Sequence, residues 1–249
     1  MPSNQPRIVP TALQFWTEAA SRVGRLAATR ALVGALWEFT RDSSPSRLRQ
    51  RYGDADYDWD HRVNTTSGAV GWRDRLLGAF HSAYQPTDPA AFREMLDALA
   101  ADSDLNFPDF TFLDLGSGKG RTLLMASSYP FRRILGVELL PSLHQIAREN
   151  LRHYTNEVQQ CFSLESICAD ATTFPFPDEP LVLYLFNPFG ESDLRRVVTN
   201  LGQSVHTNPR PIYVLYHNPL LEHVLAEGGF LRRLSGTLLY SVWERCAAN

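Results

Sequence analysis

Apolar residues change their spacing several times along the chain. Between Thr11 and Phe39, the residues Leu13, Trp16, Ala20, Val23, Ala27 and Leu36 fall close to helical spacing with arginines between them. That predicts a long amphipathic helix, broken near Gly34. From Arg41 to Gly71 the periodicity is lost. Asp54, Asp56, Asp58 and Asp60 alternate with small or aromatic residues, and His61 and Arg62 lead into Asn64-Thr65-Thr66-Ser67-Gly68. Such turn chemistry predicts an irregular segment. From Thr87 the pattern is regular. Thr87 or Asp88 caps a helix, Pro89 occupies its first turn, and Phe92, Met95, Leu96 and Leu99 form its buried stripe. Strands are then expected at about Phe110 to Leu115, Arg133 to Glu138, Ser163 to Ala169, Leu181 to Asn187 and Ile212 to His217. Helices are expected between them at about Gly120 to Ser128, Pro141 to Tyr154, Glu191 to Ser204 and Leu220 to Glu227. Short apolar strands separated by helices pair in parallel and are covered on both faces. The end differs, because Phe230 to Leu234, Ser235-Gly236 and Thr237 to Arg245 read as a hairpin. The expected fold class is α/β, a doubly wound sheet with an antiparallel last strand and a helical N-terminal extension. Residues 1–70 form that extension, with Tyr57 to Gly68 as a candidate lid, and residues 71–249 form the main domain.

Length and composition narrow the function classes. The 249 residues, 44% hydrophobic, suffice for one packed domain with an appendage. A net charge of −3 excludes a protein that coats nucleic acid or anionic lipid with its whole surface. Contact with nucleic acid is left to residues 1–53, whose eight arginines face only Glu18, Glu38 and Asp42. An accessory helix with a solvated basic face is the plainer reading of that segment. Three cysteines, Cys161, Cys168 and Cys246, fit neither a disulfide framework nor a zinc knuckle. The alternating aspartates lack the downstream glycine and glutamate of a calcium loop, so no metal is expected. The run Ala31 to Trp37 is too short to span a bilayer, and a cytoplasmic location is the default. Among the 24 basic residues the one lysine is Lys119, and it lies in the most glycine-dense stretch of the chain.

That stretch, Phe112-Leu113-Asp114-Leu115-Gly116-Ser117-Gly118-Lys119-Gly120-Arg121, runs a hydrophobic strand into a glycine turn that opens a helix. Glycines at every second position let the backbone approach a ligand closely, as nucleotide-binding turns require. Asp114, two residues before the first glycine, would repel a pyrophosphate and attract an ammonium group. The ligand expected is therefore a nucleoside with a cationic amino-acid tail, S-adenosylmethionine, with S-adenosylhomocysteine as its product form. Glu138 ends the second strand, where a carboxylate can accept from both ribose hydroxyls. Asp170, in Cys168-Ala169-Asp170-Ala171, follows the third strand and can accept from an adenine amino group.

With these motifs the sequence resembles the class I S-adenosylmethionine-dependent methyltransferases, from about Tyr84 to Arg245. The resemblance implies a seven-stranded sheet with an antiparallel final strand. It also implies that Asp114, Gly116, Ser117, Gly118 and Gly120 hold the methionine moiety, Glu138 the ribose, and Asp170 with Ala171 the adenine. Lys119 then takes a variable position, as a solvated turn residue. A shorter resemblance, to the non-SET histone lysine methyltransferases, brings in the loop Tyr84-Gln85-Pro86-Thr87 and adds Tyr84 and Thr87 to the cofactor contacts.

The fourth strand ends Leu185-Phe186-Asn187-Pro188-Phe189-Gly190, at the carboxyl edge where ligands gather in open α/β sheets. This resembles the Asn/Asp-Pro-Pro-aromatic motif of methyltransferases that modify exocyclic amines and amides, with Phe189 and Gly190 in place of the second proline and the aromatic. By that resemblance Asn187 and Phe189 would hold the acceptor, Asn187 also bordering the cofactor. His217, at the end of strand five, is a candidate base or substrate-orienting residue. Tyr184, Phe186 and Tyr216 are further aromatic residues at this edge. The expectation is methyl transfer to a nitrogen, on protein lysine or another amine or amide. The alternatives are a small-molecule methyltransferase, a non-catalytic cofactor-binding module, and a nicotinamide oxidoreductase, the last disfavoured by Asp114. The expected partner is the methyl acceptor, possible as a protein. A chain with one lysine offers little for self-methylation, so a lysine acceptor belongs to another molecule.

Overall fold

The computed structural model describes residues 13, 16, 17, 20, 21, 24–42, 55–66 and 86–246. Tyr84 lies outside them. Helix α1 (Arg25–Asp42) runs through Gly34 without interruption. The break falls instead at Gly24, whose φ of +85° is open to glycine alone at little cost. A second departure is α2 (Ala55–His61), a helix where an irregular segment was expected. Its spacing puts Tyr57 and His61 one turn apart with ring centroids 4.5 Å from each other, and Tyr154 lies 5.4 Å beyond His61. Packing of these rings on the domain outweighs the weak helix propensity of the aspartates.

Helix α3 (Pro89–Asp102) begins as the sequence indicates, with Asp88 as the cap: its carboxylate accepts from the Ala91 amide at 2.9 Å. The alternation then follows as β1 (Thr111–Leu115), α4 (Arg121–Ala126), β2 (Arg133–Glu138), α5 (Pro141–His153) and β3 (Leu164–Cys168). It continues as β4 (Leu181–Phe186), α6 (Glu191–Thr207), β5 (Ile212–His217), α7 (Glu222–Glu227), β6 (Leu231–Gly236) and β7 (Tyr240–Arg245). Seven strands form one sheet in the order β3-β2-β1-β4-β5-β7-β6. All pairings are parallel except those of β7, which runs antiparallel between β5 and β6.

The residues of β1, β2, β4 and β5 are almost all buried, as strands covered on both faces must be. One face carries Leu113, Leu183 and Tyr216 against Leu194, Val197 and Leu201 of α6. The other carries Phe112, Tyr184 and Leu215 against Phe92, Met95 and Leu96 of α3. Phe92 stands edge-on to both Phe112 and Tyr184, at 5.9 and 5.7 Å. Burial of each such side chain stabilises the fold by roughly 1.5–3 kcal/mol. The strand order reverses between β1 and β4. Ligands of doubly wound sheets bind outside the carboxyl ends at this point.

Candidate functional site

At the carboxyl end of β1 the chain turns through Gly116 to Gly120, with Gly116 at φ +86° and Gly120 at +81°. Gly116 has no room for a side chain either, because a Cβ there would lie 2.7 Å from Pro188 Cβ. The turn is satisfied internally. The Gly116 and Ser117 amides donate to the Val137 carbonyl, and the Gly120 amide donates to the Ser117 carbonyl. The Ser117 hydroxyl is buried against β2, 2.6 Å from where a Cβ on Gly136 would stand. The turn spends these amides on its own shape.

Glu138, at the end of β2, is fixed between two backbone amides. Oε2 accepts from Gly118 and Oε1 from Leu140, both at 2.8 Å. Its carboxylate is thus locked onto the turn. Asp114 is 3% exposed. Burial pushes its carboxyl up to about 8, the Glu138 charge adds to the rise, and a hydrogen bond with Thr122 opposes it. A carboxyl in this state is held neutral near pH 7, and a cation beside it would favour its ionised form. Asp170 is exposed after β3, and its Oδ1 accepts from the Thr172 amide and hydroxyl. Ala171 is buried against the core below it. Asp114, the glycine turn, Glu138 and Asp170 therefore line successive carboxyl ends in the order β1, β2, β3. This row of hydrogen-bond acceptors fits an ammonium group, a ribose diol and an adenine amine.

The acceptor edge divides between the two faces of the sheet. On the α6 face, Asn187 adopts φ +46° and its Oδ1 accepts from the Tyr216 hydroxyl at 3.2 Å. Phe189 packs against the core of that same face. On the α3 face, His217 stacks on Phe186, with centroids 4.0 Å apart and ring planes at 12°. A buried hydrogen-bond chain runs from Thr87 Oγ1 to the Tyr184 hydroxyl at 3.0 Å and on to His217 Nδ1 at 2.9 Å. Burial drives the His217 imidazole down to about 4 against the opposing pull of Asp88. Burial likewise holds the Tyr184 hydroxyl well above its ordinary range, opposed by the Thr87 hydrogen bond. The structure thus joins Thr87 to His217 rather than leaving its hydroxyl on the surface. The aromatic partner of the histidine is Phe186, three residues before Phe189. Alternation along β4 and β5 carries that signal, since Tyr184, Phe186, Leu215 and His217 share a face.

Lys119 departs furthest from expectation. It is fully buried, not a solvated turn residue. Its Nζ donates to the Thr66 carbonyl at 2.6 Å and to Asn64 Oδ1 at 3.0 Å. Burial lowers its ammonium to about 8, with Asp58 pulling the other way. Asp58 in turn accepts from the Thr65 and Thr66 amides at 2.7 and 2.9 Å and from the Thr65 hydroxyl. Asn150 of α5 completes the junction, donating to the carbonyls of Asn64 and Lys119 and accepting from the Asn64 amide. Next in the chain, the Arg121 guanidinium lies 4.3 Å over the Tyr57 ring. The stretch 55–66 is therefore packed onto the back of the glycine turn. Among the described residues no cluster of His, Cys, Asp or Glu is placed to hold a metal ion, and no helix is long and apolar enough to cross a membrane.

Residues 112–207 match the family model described as a methyltransferase domain. No curated protein matches the chain. Among solved structures, TrmN from Thermus thermophilus is 17% identical, with 66% of this chain and 51% of that one covered and a TM-score of 0.47. An RNA methyltransferase from Salinibacter ruber, in complex with S-adenosylhomocysteine, is 20% identical over 65% of this chain and 92% of that one, with a TM-score of 0.43. Geranyl diphosphate C-methyltransferase from Streptomyces coelicolor A3(2) is 18% identical over 56% and 53%, with a TM-score of 0.38. The chain spans about half the length of the first and third of these. The family match over residues 112–207, the strand order and the acids along the carboxyl edge agree in pointing to a methyltransferase domain.

Proposed function

We propose that this domain moves a methyl group from S-adenosylmethionine onto a nitrogen atom, on a protein lysine or on another amine or amide. The observation that carries the reading is the contact between Gly116 and Pro188, which makes the glycine turn and the Asn187-Pro188 segment one continuous wall. A donor held by the turn then meets an acceptor held by Asn187. In this reading Asp114 and the turn hold the methionine end of the cofactor, Glu138 the ribose and Asp170 the adenine. Bound there, the sulfonium supplies an electrophilic methyl group and leaves as a neutral thioether.

The chain's own residues then have to position the nucleophile and keep it unprotonated. Asn187 holds a left-handed backbone, which costs a non-glycine residue roughly 1–2 kcal/mol and is the kind of strain found at functional positions. Its amide oxygen, fixed by the Tyr216 hydroxyl, is the acceptor for a nitrogen-bound hydrogen. His217, neutral above about pH 4, orients the acceptor by a hydrogen bond. It is far too weak a base to take a proton from a lysine ammonium of pKa roughly 10.4. An amine therefore has to lose its proton by desolvation on entry, a task suited to the stacked Phe186 and His217 rings. The experiment is transfer of tritiated methyl from S-adenosylmethionine into a size-fractionated lysate. Label in a protein fraction, lost with Asn187→Ala while cofactor affinity stays within a few-fold, supports the reading. Unchanged turnover in that variant removes Asn187 from it.

A further inference from the structure

We propose that residues 55–66 form a clamp on the cofactor turn, with Lys119 as its positioning residue, so that cofactor binding and seating of the clamp favour each other. The inference rests on the cofactor reading above and adds to it a second element that the turn needs.

Three consecutive residues of the turn and the helix it opens, Lys119, Gly120 and Arg121, are each held from behind. The Lys119 ammonium is received by Asn64 Oδ1 and the Thr66 carbonyl. The Asp58 carboxylate holds the amides of Thr65 and Thr66 and so presents that carbonyl. Gly120 abuts α5, where an added Cβ would stand 3.2 Å from Ala147 Cβ. Arg121 lies over Tyr57. Asn150 ties the backbone of Lys119 to the backbone of Asn64, so a shift of either moves the other. On the opposite side, the Gly118 amide is bonded to Glu138, the candidate ribose acceptor. The residue bonded to the candidate ribose acceptor and the residue that holds the clamp are therefore adjacent in the chain. A ligand that fixes the position of Gly118 lowers the cost of ordering Lys119, and a seated clamp lowers the cost of ordering the turn. Reciprocity follows from linkage.

The single lysine makes this measurable. An amine-reactive ester labels only Lys119 and the chain terminus, and peptide mass spectrometry separates the two. Because Lys119 is fully buried, its labelling reports release of the clamp. Cys161, 3% exposed in the core, reports global opening to a thiol reagent under the same conditions. On the full-length chain, saturating S-adenosylhomocysteine is expected to slow Lys119 labelling at least tenfold and by more than it slows Cys161. Isothermal titration is expected to show at least tenfold weaker cofactor binding for Lys119→Met, a partial rescue for Lys119→Arg, and several-fold weaker binding for Asn64→Ala. Asn64→Ala and the labelling of the unmodified chain decide the matter if Lys119→Met does not fold. Equal protection of Lys119 and Cys161, together with undiminished affinity in Asn64→Ala, overturns the clamp while leaving the cofactor site intact. Absence of cofactor binding by the unmodified chain overturns the cofactor reading itself.

Discussion

With Asp114 as the proposed partner of the cofactor's ammonium group, cofactor affinity should depend on pH. Its carboxyl is pushed up to about 8 by burial, so near pH 6 only about one molecule in a hundred carries it ionised. The ammonium of the cofactor's amino-acid tail, with an α-amino pKa of about 7.8, needs the ionised form as its partner. Multiplying the ionised fraction of Asp114 by the charged fraction of that ammonium gives an affinity that tightens about eightfold from pH 6 to pH 7. That is about 1.2 kcal/mol. Affinity peaks near pH 8 and weakens above it as the ammonium is lost. Isothermal titration with S-adenosylhomocysteine at half-unit steps from pH 6 to 9 reads the curve. Near pH 6.5, buffers of different ionisation enthalpy should report close to one proton released per cofactor bound. Asp114→Asn should bind more weakly and show a flat acid limb. Tight binding by the unmodified chain that does not change between pH 6 and 7 refutes the pairing of Asp114 with an ammonium.

In the unliganded protein, Asp114 and His217 should change stability with pH in opposite senses. Asp114 binds its proton more tightly folded than unfolded, so its contribution falls as pH rises from about 4 to about 8. His217 binds its proton less tightly folded, so its contribution is lost as pH falls from 6.5 through about 4. Melting curves of Asp114→Asn should rise relative to the unmodified protein above pH 6, and those of His217→Gln should lose less stability on acidification. Because His217 stays neutral, single-turnover transfer rates should show no inflection near pH 6.5, and a histidine-like limb there would return it to the role of base. Gly116→Ala should cost at least 1–2 kcal/mol by denaturant melts, because φ +86° and a 2.7 Å approach to Pro188 both oppose a Cβ. An unchanged midpoint would mean that the turn and the Asn187-Pro188 segment are not in contact.

The alternation of strands and helices was legible because each element has a single period and a single partner layer. Phe92, Met95, Leu96 and Leu99 mark α3 at helical spacing, and all four are buried as that stripe requires. The glycine turn was legible for a related reason: Asp114 and Gly116 carry their chemistry in their own residue types. What the pattern missed depends on contacts distant in sequence. Nothing near Lys119 announces that Asn64 and Thr66, over fifty residues earlier, will receive its ammonium. Helix α2 was obscured because aspartates at alternate positions mask the four-residue spacing of Tyr57 and His61. Gly34 was read as the helix break from its residue type, whereas Gly24 is the one whose backbone turns left-handed. Phe189 was preferred over Phe186 by motif position, whereas the sheet register pairs Phe186 with His217.

The central claim, that methyl leaves S-adenosylmethionine for nitrogen at this edge, is tested most directly by the bond that forms. Acceptor labelled by the purified chain with tritiated methyl would be treated with alkali and then hydrolysed in acid. The expected result is label that survives alkali, is recovered as an N-methyl amine and disappears with Asn187→Ala. Label released as methanol, or recovered on carbon, would contradict it.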